Sequence, residues 1–479
     1  MGLLSPRGGQ RIHSPHPWHR AVRMASSPTY PSLDLSFVRH WSPARCMAVG
    51  MVVYAVVAVT SPLEFNYSYV TWTAAVYALA IMSAFFGGCY VSTNTGPPID
   101  TVKPLPFQAS TGRYIYLTII IAFLGILARV YDRFILRSFS VQETFAETRE
   151  SLEGQVSVFG YIGGLAFSFG LIALTLVWLT KTDRRRPVAT AIAMLLAAYP
   201  MTEGLLGASR SPMLHTAILV FVLARATRSL TWLVHSRVAL LAVGLVLITF
   251  FQLLFEIRTL EGGGYEESIA EAFRFTGMAE FAAPPAWITN AIIATDGQGF
   301  YVAILKNLVH IEQHITHSWV VYFANFAHFD ELEFGDGYIH FSLPLRVIAY
   351  ITGQQIFYSP FVHGMEEGMY SASLSNIYYD FGLLGVPLAF AFGYAQTVLH
   401  RKAVHLPERW LPLHILMCFA NFMTFIDNPL TGGLGAFAVW GTLLYVIIHF
   451  IVATLSRESE ISELPSLPAR SGAPNAGAT

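Results

Sequence analysis

An arginine in a short turn is the first residue with recognisable chemistry. Arg210 lies within residues 204–212 (GLLGASRSP), where small residues would let a ligand approach the backbone between two apolar runs. A planar guanidinium can hold a phosphate through two parallel hydrogen bonds. The segment therefore suggests a phosphate contact. An Arg that reaches lipid phosphates at the membrane surface explains the same pattern equally well.

Further cations stand at the ends of other apolar runs. Arg129, Asp132 and Arg133 close the third run, and Arg258 follows the seventh. An Arg at the edge of the hydrocarbon is costly unless a group pairs with it. Two or more such cations around one cavity would fit a pyrophosphate. The alternative is structural, since Asp132 can simply pair with a neighbouring Arg.

Three histidines recur at helical spacing in residues 310–317 (HIEQHITH). Positions i, i+4 and i+7 share one helix face, and three imidazoles can bind zinc. The segment is not a His-Glu-x-x-His motif, however, and an interfacial helix is the commoner outcome, so no metal is expected. His317 remains a candidate base. His363 and Glu366, which precede a late apolar run, are two further candidates for a base.

A polar run leads into that late apolar segment. Residues 370–385 (YSASLSNIYYDFGLLG) place Asp380 one to two turns inside the run, followed by Gly382 and Gly385. A polar group inside a membrane is costly, so Asp380 is expected to face a cavity and contact substrate. Glycines permit close helix packing. A cluster of hydrogen bonds between helices, without a substrate, is the alternative.

The elements that carry these residues are predicted to be membrane helices. Of 479 residues, 54% are hydrophobic and 12% are charged, which is too few charges for a soluble protein of this size. The net charge of −1 does not favour nucleic-acid binding. The three cysteines, which are not closely spaced, are interpreted as packing residues.

Ten apolar runs are long enough to be interpreted as spans of about 20 residues. They are 46–62, 70–91, 114–130, 157–180, 187–203, 211–226, 237–256, 374–398, 410–427 and 432–454.

The fold class predicted is all-α, a polytopic integral membrane protein with about ten to twelve transmembrane helices. Lys and Arg are concentrated in alternate loops, which places both termini in the cytoplasm. The predicted organisation is a disordered tail (1–45), seven spans (46–256), a large outward-facing loop (257–373), three last spans (374–455) and a second disordered tail (456–479).

The large loop has an unusual aromatic content. It also holds two short apolar stretches, near 319–329 and 341–351, which are interpreted as re-entrant or interfacial helices. Its Trp, Tyr and Phe residues suit a belt at the level of the lipid headgroups, and they equally suit stacking on sugar rings.

Two short motifs resemble those of a known family. Residues 207–212 (GASRSP) are similar to a Gly-Ser-Arg-Gly type outer turn, and residues 377–385 (IYYDFGLLG) to a Tyr-x-Asp-Phe-Gly-x-x-Gly segment at the start of a late span. Both are features of bacterial oligosaccharide repeat-unit polymerases, the Wzy-like O-antigen and capsule polymerases. The number of spans, the large late loop and the Arg129 to Arg133 cluster also fit. The layout of residues 46–455 resembles that family, but only about twenty residues match in detail.

The resemblance implies a glycosyl transfer between polyprenyl-pyrophosphate-linked oligosaccharides at the outer face of the bacterial inner membrane, without a cofactor or metal. Arg210 and Arg258 would bind the pyrophosphate, and His363, Glu366 or His317 would be the base. A chain-length regulator and a flippase are expected partners, besides membrane lipids. Ser373, Ser375 and Asn376 stand where related ligases often have a His-Asn pair before the late span, so the resemblance does not fix the base.

Three alternatives remain open from the sequence. An O-antigen ligase would use the same donor with a different acceptor. A transporter or flippase would be expected to show charged or broken helices at the bilayer midplane and an internal repeat, neither of which is apparent. A membrane acyltransferase would need a catalytic His deep in a span, which the sequence does not show.

Overall fold

The computed structural model describes most of the apolar part of the chain. The described residues are 35–105, 111–137, 157–180, 187–206, 210–231, 236–239, four positions within 241–249, 282–295, 299–327, 339–353, 373–430 and 433–462. The first tail up to residue 34, most of the predicted span 237–256 and the second tail from residue 463 lie outside them.

Helices dominate the described residues, with one short pair of strands. In chain order the elements are α1 (Ser36–His40), α2 (Pro43–Thr60), β1 (Glu64–Phe65), α3 (Trp72–Thr95), α4 (Thr111–Tyr131), α5 (Val158–Phe167), α6 (Phe169–Leu179), α7 (Pro187–Leu206), α8 (Arg210–Thr227), β2 (Ala282–Ala283), α9 (Ala286–Ala294), α10 (Phe300–Ala327), α11 (Ser342–Thr352), α12 (Ser373–Phe381), α13 (Gly385–His405), α14 (Pro407–Met423) and α15 (Gly433–Ser462).

Seven helical segments in the described part of the chain are long and apolar enough to cross a membrane. This confirms the prediction of an all-α, polytopic membrane protein. Two shorter apolar helices, 212–227 and 342–352, accompany them. Many large apolar side chains on the spans are exposed to the surroundings of the protein, such as Val59, Leu195 and Ile447. Such a surface suits hydrocarbon, because lipid tails are as apolar as these side chains. The seven segments are 43–60, 72–95, 112–136, 158–179, 187–205, 376–405 and 435–452.

Helices α3 and α13 run side by side in the same direction. A Cβ on Gly88 would lie 2.0 Å from the carbonyl oxygen of Phe390, and a Cβ on Gly393 would lie 2.2 Å from that of Phe85. The two backbones therefore touch, which only glycine permits. The Sγ of Cys89 also donates to the carbonyl of Gly393.

Two sets of contacts define the two faces of the helix bundle. At the end of α13, His405 contacts the carbonyl of Lys103 at 2.9 Å, which marks one face. The other face carries the antiparallel pair of β1 and β2, and we call it the β face. Tyr77, near the start of α3, donates to the carbonyl of Gly382 at 2.7 Å, so the approach to α13 also lies at the β face.

The two short apolar stretches of the large loop do form helices. In α10, Tyr322 is fully buried and donates to the carbonyl of Ala74 at 2.5 Å, so the second half of this helix is packed against α3. In α11, Leu343 is buried while Ile351 is 76% exposed. The helix ends at Gly353, whose φ of 67° is the left-handed conformation of a glycine cap.

The amino-terminal boundary differs from the predicted tail of 1–45. Residues 36–40 form α1, and α2 begins at Pro43 with Ser42 as its N-cap. The Ser42 hydroxyl accepts from the backbone N–H of Arg45 at 3.3 Å. Ser followed by Pro is a strong helix-start signal, and the apolar pattern alone placed the start three residues later.

Candidate functional site

A buried cluster of charges lies where α4 reaches the β face. Helix α4 starts near the opposite face and ends in a π-helical turn, Asp132–Leu136. Arg129 and Arg133 are four residues apart and therefore project from the same side. Both donate to one carboxylate oxygen of Glu203, at the end of α7. All three side chains are at most 12% exposed.

Asp132 is engaged on both of its oxygens. The Ser157 hydroxyl donates to Oδ1, and Oδ2 lies 3.3 Å from Nε of Arg137. Ser157 also caps α5, accepting from the backbone N–H of Gly160 at 3.1 Å. Asp132 is 1% exposed, so it holds α4 and α5 together. The structure therefore gives Asp132 a structural contact, while the predicted role in substrate binding stays a prediction.

Arg133 has an unused donor in this cluster. Among the described residues, the three arginines Arg129, Arg133 and Arg137 contact two carboxylates, Asp132 and Glu203. Nη1 of Arg133 is buried and has no hydrogen-bond partner among the described residues. A guanidinium with an unused donor is the group that binds an anion such as a phosphate.

An apolar contact joins this cluster to α11. The guanidinium carbon of Arg129 lies 5.7 Å from the ring centroid of Phe437 on α15, within the range of a cation–π contact. Phe437 packs in one buried cluster with Leu343 of α11 and Phe167 of α5. Phe437 therefore contacts Arg129 and belongs to the same apolar cluster as the start of α11.

A histidine–aspartate pair stands at that beginning of α11. Oδ2 of Asp380, at the end of α12, lies 2.6 Å from Nδ1 of His340 and accepts the His340 backbone N–H at 2.9 Å. Oδ1 accepts the N–H of Ile339 at 3.1 Å. Asp380 is buried and His340 is partly exposed. A carboxylate bound to Nδ1 orients the imidazole and leaves Nε2 to exchange a proton with a ligand.

A second buried carboxylate lies in the connection between α14 and α15. Oδ2 of Asp427 is 3.4 Å from Nε2 of His215 on α8, and Oδ1 accepts the backbone N–H of Asn428 at 2.6 Å. Residues 425–429 of this connection are buried. Helix α10 covers them, and its Ser318 donates to the carbonyl of Ile426.

The structure locates some of the residues predicted from the sequence. It brings Arg129, Asp132 and Arg133 together, and it pairs Asp380 with His340. Arg210 is the first residue of α8, on the β face, and His317 lies on α10, but their side chains are outside the described part. Arg258, His363 and Glu366 also lie outside the described residues, so their predicted convergence with Arg210 stays a prediction.

Sequence reasoning missed Glu203, His340 and Asp427. Glu203 could have been identified from the sequence, because a carboxylate at the end of an apolar run is energetically costly and is commonly functional or paired. The same argument applies to Asp427, at the end of the ninth run. His340 precedes a recognised apolar stretch by one residue but belongs to no motif, so only its contact with Asp380 identifies it.

Comparison with known proteins gives no relative for this chain. No family model, no curated protein and no solved structure matches it.

Proposed function

We propose that this protein is a membrane glycosyltransferase that polymerises polyprenyl-pyrophosphate-linked oligosaccharide repeat units into a surface polysaccharide. The observation that carries the proposal is the buried Arg129–Arg133 pair, with one Arg133 donor unused among the described residues, on the same face of the bundle as the His340–Asp380 pair. Glycosyl transfer from a pyrophosphate lipid needs these two groups, a cation for the leaving group and a base for the acceptor. The sequence resemblance to repeat-unit polymerases supports the same reaction.

The chemistry proposed is a direct displacement at the anomeric carbon of the growing chain. An acceptor hydroxyl attacks that carbon, the bond to the pyrophosphate oxygen breaks, and the pyrophosphate lipid leaves with both bonding electrons. Arg133 and Arg129 would stabilise the developing charge, a contribution of typically 10² to 10³ in rate for one well-placed donor. His340, oriented by Asp380, would take the hydroxyl proton and later release it to solvent.

The membrane and orientation are part of the proposal. In a bacterial inner membrane with both termini cytoplasmic, the β face would be the outer face, where lipid-linked units are polymerised. A single cysteine at position 264 should then react with an impermeant thiol reagent in intact cells, while one at 184 should be protected. Labelling of 184 with protection of 264 would reverse the orientation.

Glycan analysis of a deletion strain tests the function. Mass spectrometry of lipid-linked glycans should show single repeat units in the deletion strain and long polymer after complementation. Normal polymer that is not attached to its final acceptor would indicate a ligase instead. Unchanged lipid-linked glycans would contradict the proposal, and units trapped on the cytoplasmic face would indicate a flippase.

Substitutions connect the function to the site. At matched membrane abundance, His340→Gln and Arg133→Lys should each shorten or abolish the polymer. His340→Gln removes the proposed base. Arg133→Lys replaces a guanidinium, which can form two parallel hydrogen bonds, with an ammonium, which cannot. Arg210→Ala and Arg210→Lys test the predicted turn in the same assay. His405→Gln, on the opposite face, is the control and should make normal polymer. Normal polymer from His340→Gln would contradict the role of His340.

A further inference from the structure

An aromatic platform lies where α2, α10 and the α14–α15 connection meet. The platform consists of Tyr54, Trp319 and Phe425. The rings of Trp319 and Phe425 are stacked, with centroids 5.9 Å apart and planes at 9°. Tyr54 lies 5.6 Å from Trp319 and 6.2 Å from Phe425. Phe425 is buried, while Tyr54 and Trp319 are partly exposed.

Two polar atoms beside the platform lack partners. Oε2 of Glu312 and Nε1 of Trp319 are buried and have no hydrogen-bond partner among the described residues. Glu312 is 6% exposed and receives a hydrogen bond from Ser61. Buried polar atoms in native structures are nearly always hydrogen-bonded, so these two atoms point to a partner that binds there.

The spacing of the two atoms limits what that partner is. Glu312 and Trp319 are seven residues apart on α10, about 10 Å along the helix axis. One atom is an acceptor and the other a donor, and aromatic rings lie between them. An apolar occupant would leave both atoms unsatisfied, and an anion would be repelled by the carboxylate. A sugar ring offers hydroxyls that both donate and accept, together with an apolar face of C–H groups.

The platform and the arginine cluster contact two parts of one chain segment. Phe425 belongs to the platform and lies in the α14–α15 connection, and Phe437, twelve residues later in α15, lies under Arg129. Asp427, two residues after Phe425, contacts His215.

We propose that the platform of Tyr54, Trp319 and Phe425, with Glu312, binds an uncharged pyranose of a saccharide substrate. This inference rests on the proposed function for the identity of the substrate, as a sugar of the lipid-linked oligosaccharide. The sugar's C–H face packs on the rings, while its hydroxyls donate to Glu312 Oε2 and accept from Trp319 Nε1. The site therefore selects neutral sugars at this position and holds them apart from the pyrophosphate.

Saccharide binding by the purified full-length protein in nanodiscs is the test. The probe is the mixture of oligosaccharides released by mild acid from the host's own surface polysaccharide, titrated by calorimetry. The wild type should bind it. Glu312→Gln and Trp319→Phe should each bind about three- to tenfold more weakly, since each loses or weakens one hydrogen bond. Glu64→Gln and Trp287→Phe, both exposed on the β face side of the chain, are matched controls and should bind as the wild type does.

Two further measurements separate this site from the proposed function. Sugar-free polyprenyl pyrophosphate should bind Glu312→Gln as well as it binds the wild type, because the platform does not contact the pyrophosphate. Absence of saccharide binding by the wild type, or wild-type affinity in a folded Glu312→Gln protein, would overturn the platform even if deletion analysis supports a polymerase. Saccharide binding that depends on Glu312, in a protein whose deletion leaves lipid-linked glycans unchanged, would uphold the platform and overturn the polymerase.

Discussion

Replacing Glu203 by Gln should strongly destabilise the protein. The substitution keeps the shape of the side chain but removes the negative charge that Arg129 and Arg133 share. Arg129 and Arg133 then lose the carboxylate that both contact, in a region where the Glu203 side chain is 2% exposed. Removing one partner of a buried ion pair typically costs about 3 to 5 kcal/mol, because a desolvated charge loses its partner. The unfolding equilibrium should therefore shift by about a hundredfold or more.

The assay is reversible unfolding of the purified protein by SDS in mixed micelles. Glu203→Gln should unfold at a lower SDS mole fraction than the wild type. Adding Arg133→Met removes one of the two cations that have lost their carboxylate, so the double variant should regain much of the lost stability. Glu64→Gln, on the exposed β1, is the control and should change stability by about 0.5 kcal/mol or less. If Glu203→Gln unfolds at the same SDS mole fraction as the wild type, Glu203 does not neutralise the charge of the two arginines.

One further prediction concerns the contact between α3 and α13. Gly88→Ala should lower thermal stability, because its Cβ would push α3 away from the backbone of Phe390. Gly87→Ala, whose Cβ would meet only two ring atoms of Phe390 at 3.7 Å, should leave thermal stability unchanged. Equal effects of the two substitutions would refute the contact.

Much of the helical layout could be predicted from the apolar runs, since a bilayer fixes the length of a span. Run 157–180 corresponds to α5 and α6, and run 187–203 to α7. The ends are less predictable, because polar helical turns continue past the apolar part, as at His405 in α13. The pairing of α3 with α13 depends on glycines far apart in sequence, and periodicity carries no information about it.

The spacing of residues along the chain also explains which part of the site could be predicted from the sequence. Arg129, Asp132 and Arg133 are within one helical turn of each other, so their proximity follows from the chain itself. Their partner Glu203 is 74 residues from Arg129, and His340 is 40 residues from Asp380. Contacts at such distances depend on tertiary packing. The sequence identifies each of these residues as energetically costly in a membrane, but it does not identify the residue that pairs with it.

The glycine contact between α3 and α13 has a consequence for biosynthesis. Cys89 and Gly393 are 304 residues apart in the chain, and at about 5 to 20 residues per second that separation takes about 15 to 60 s to synthesise. The glycine surface of α3 is therefore in the bilayer without its final neighbour, α13, for most of translation. The rate of translation sets the earliest time at which this interface can form. A nascent chain stopped before residue 385 would leave that surface open to wrong helices and to quality-control proteases.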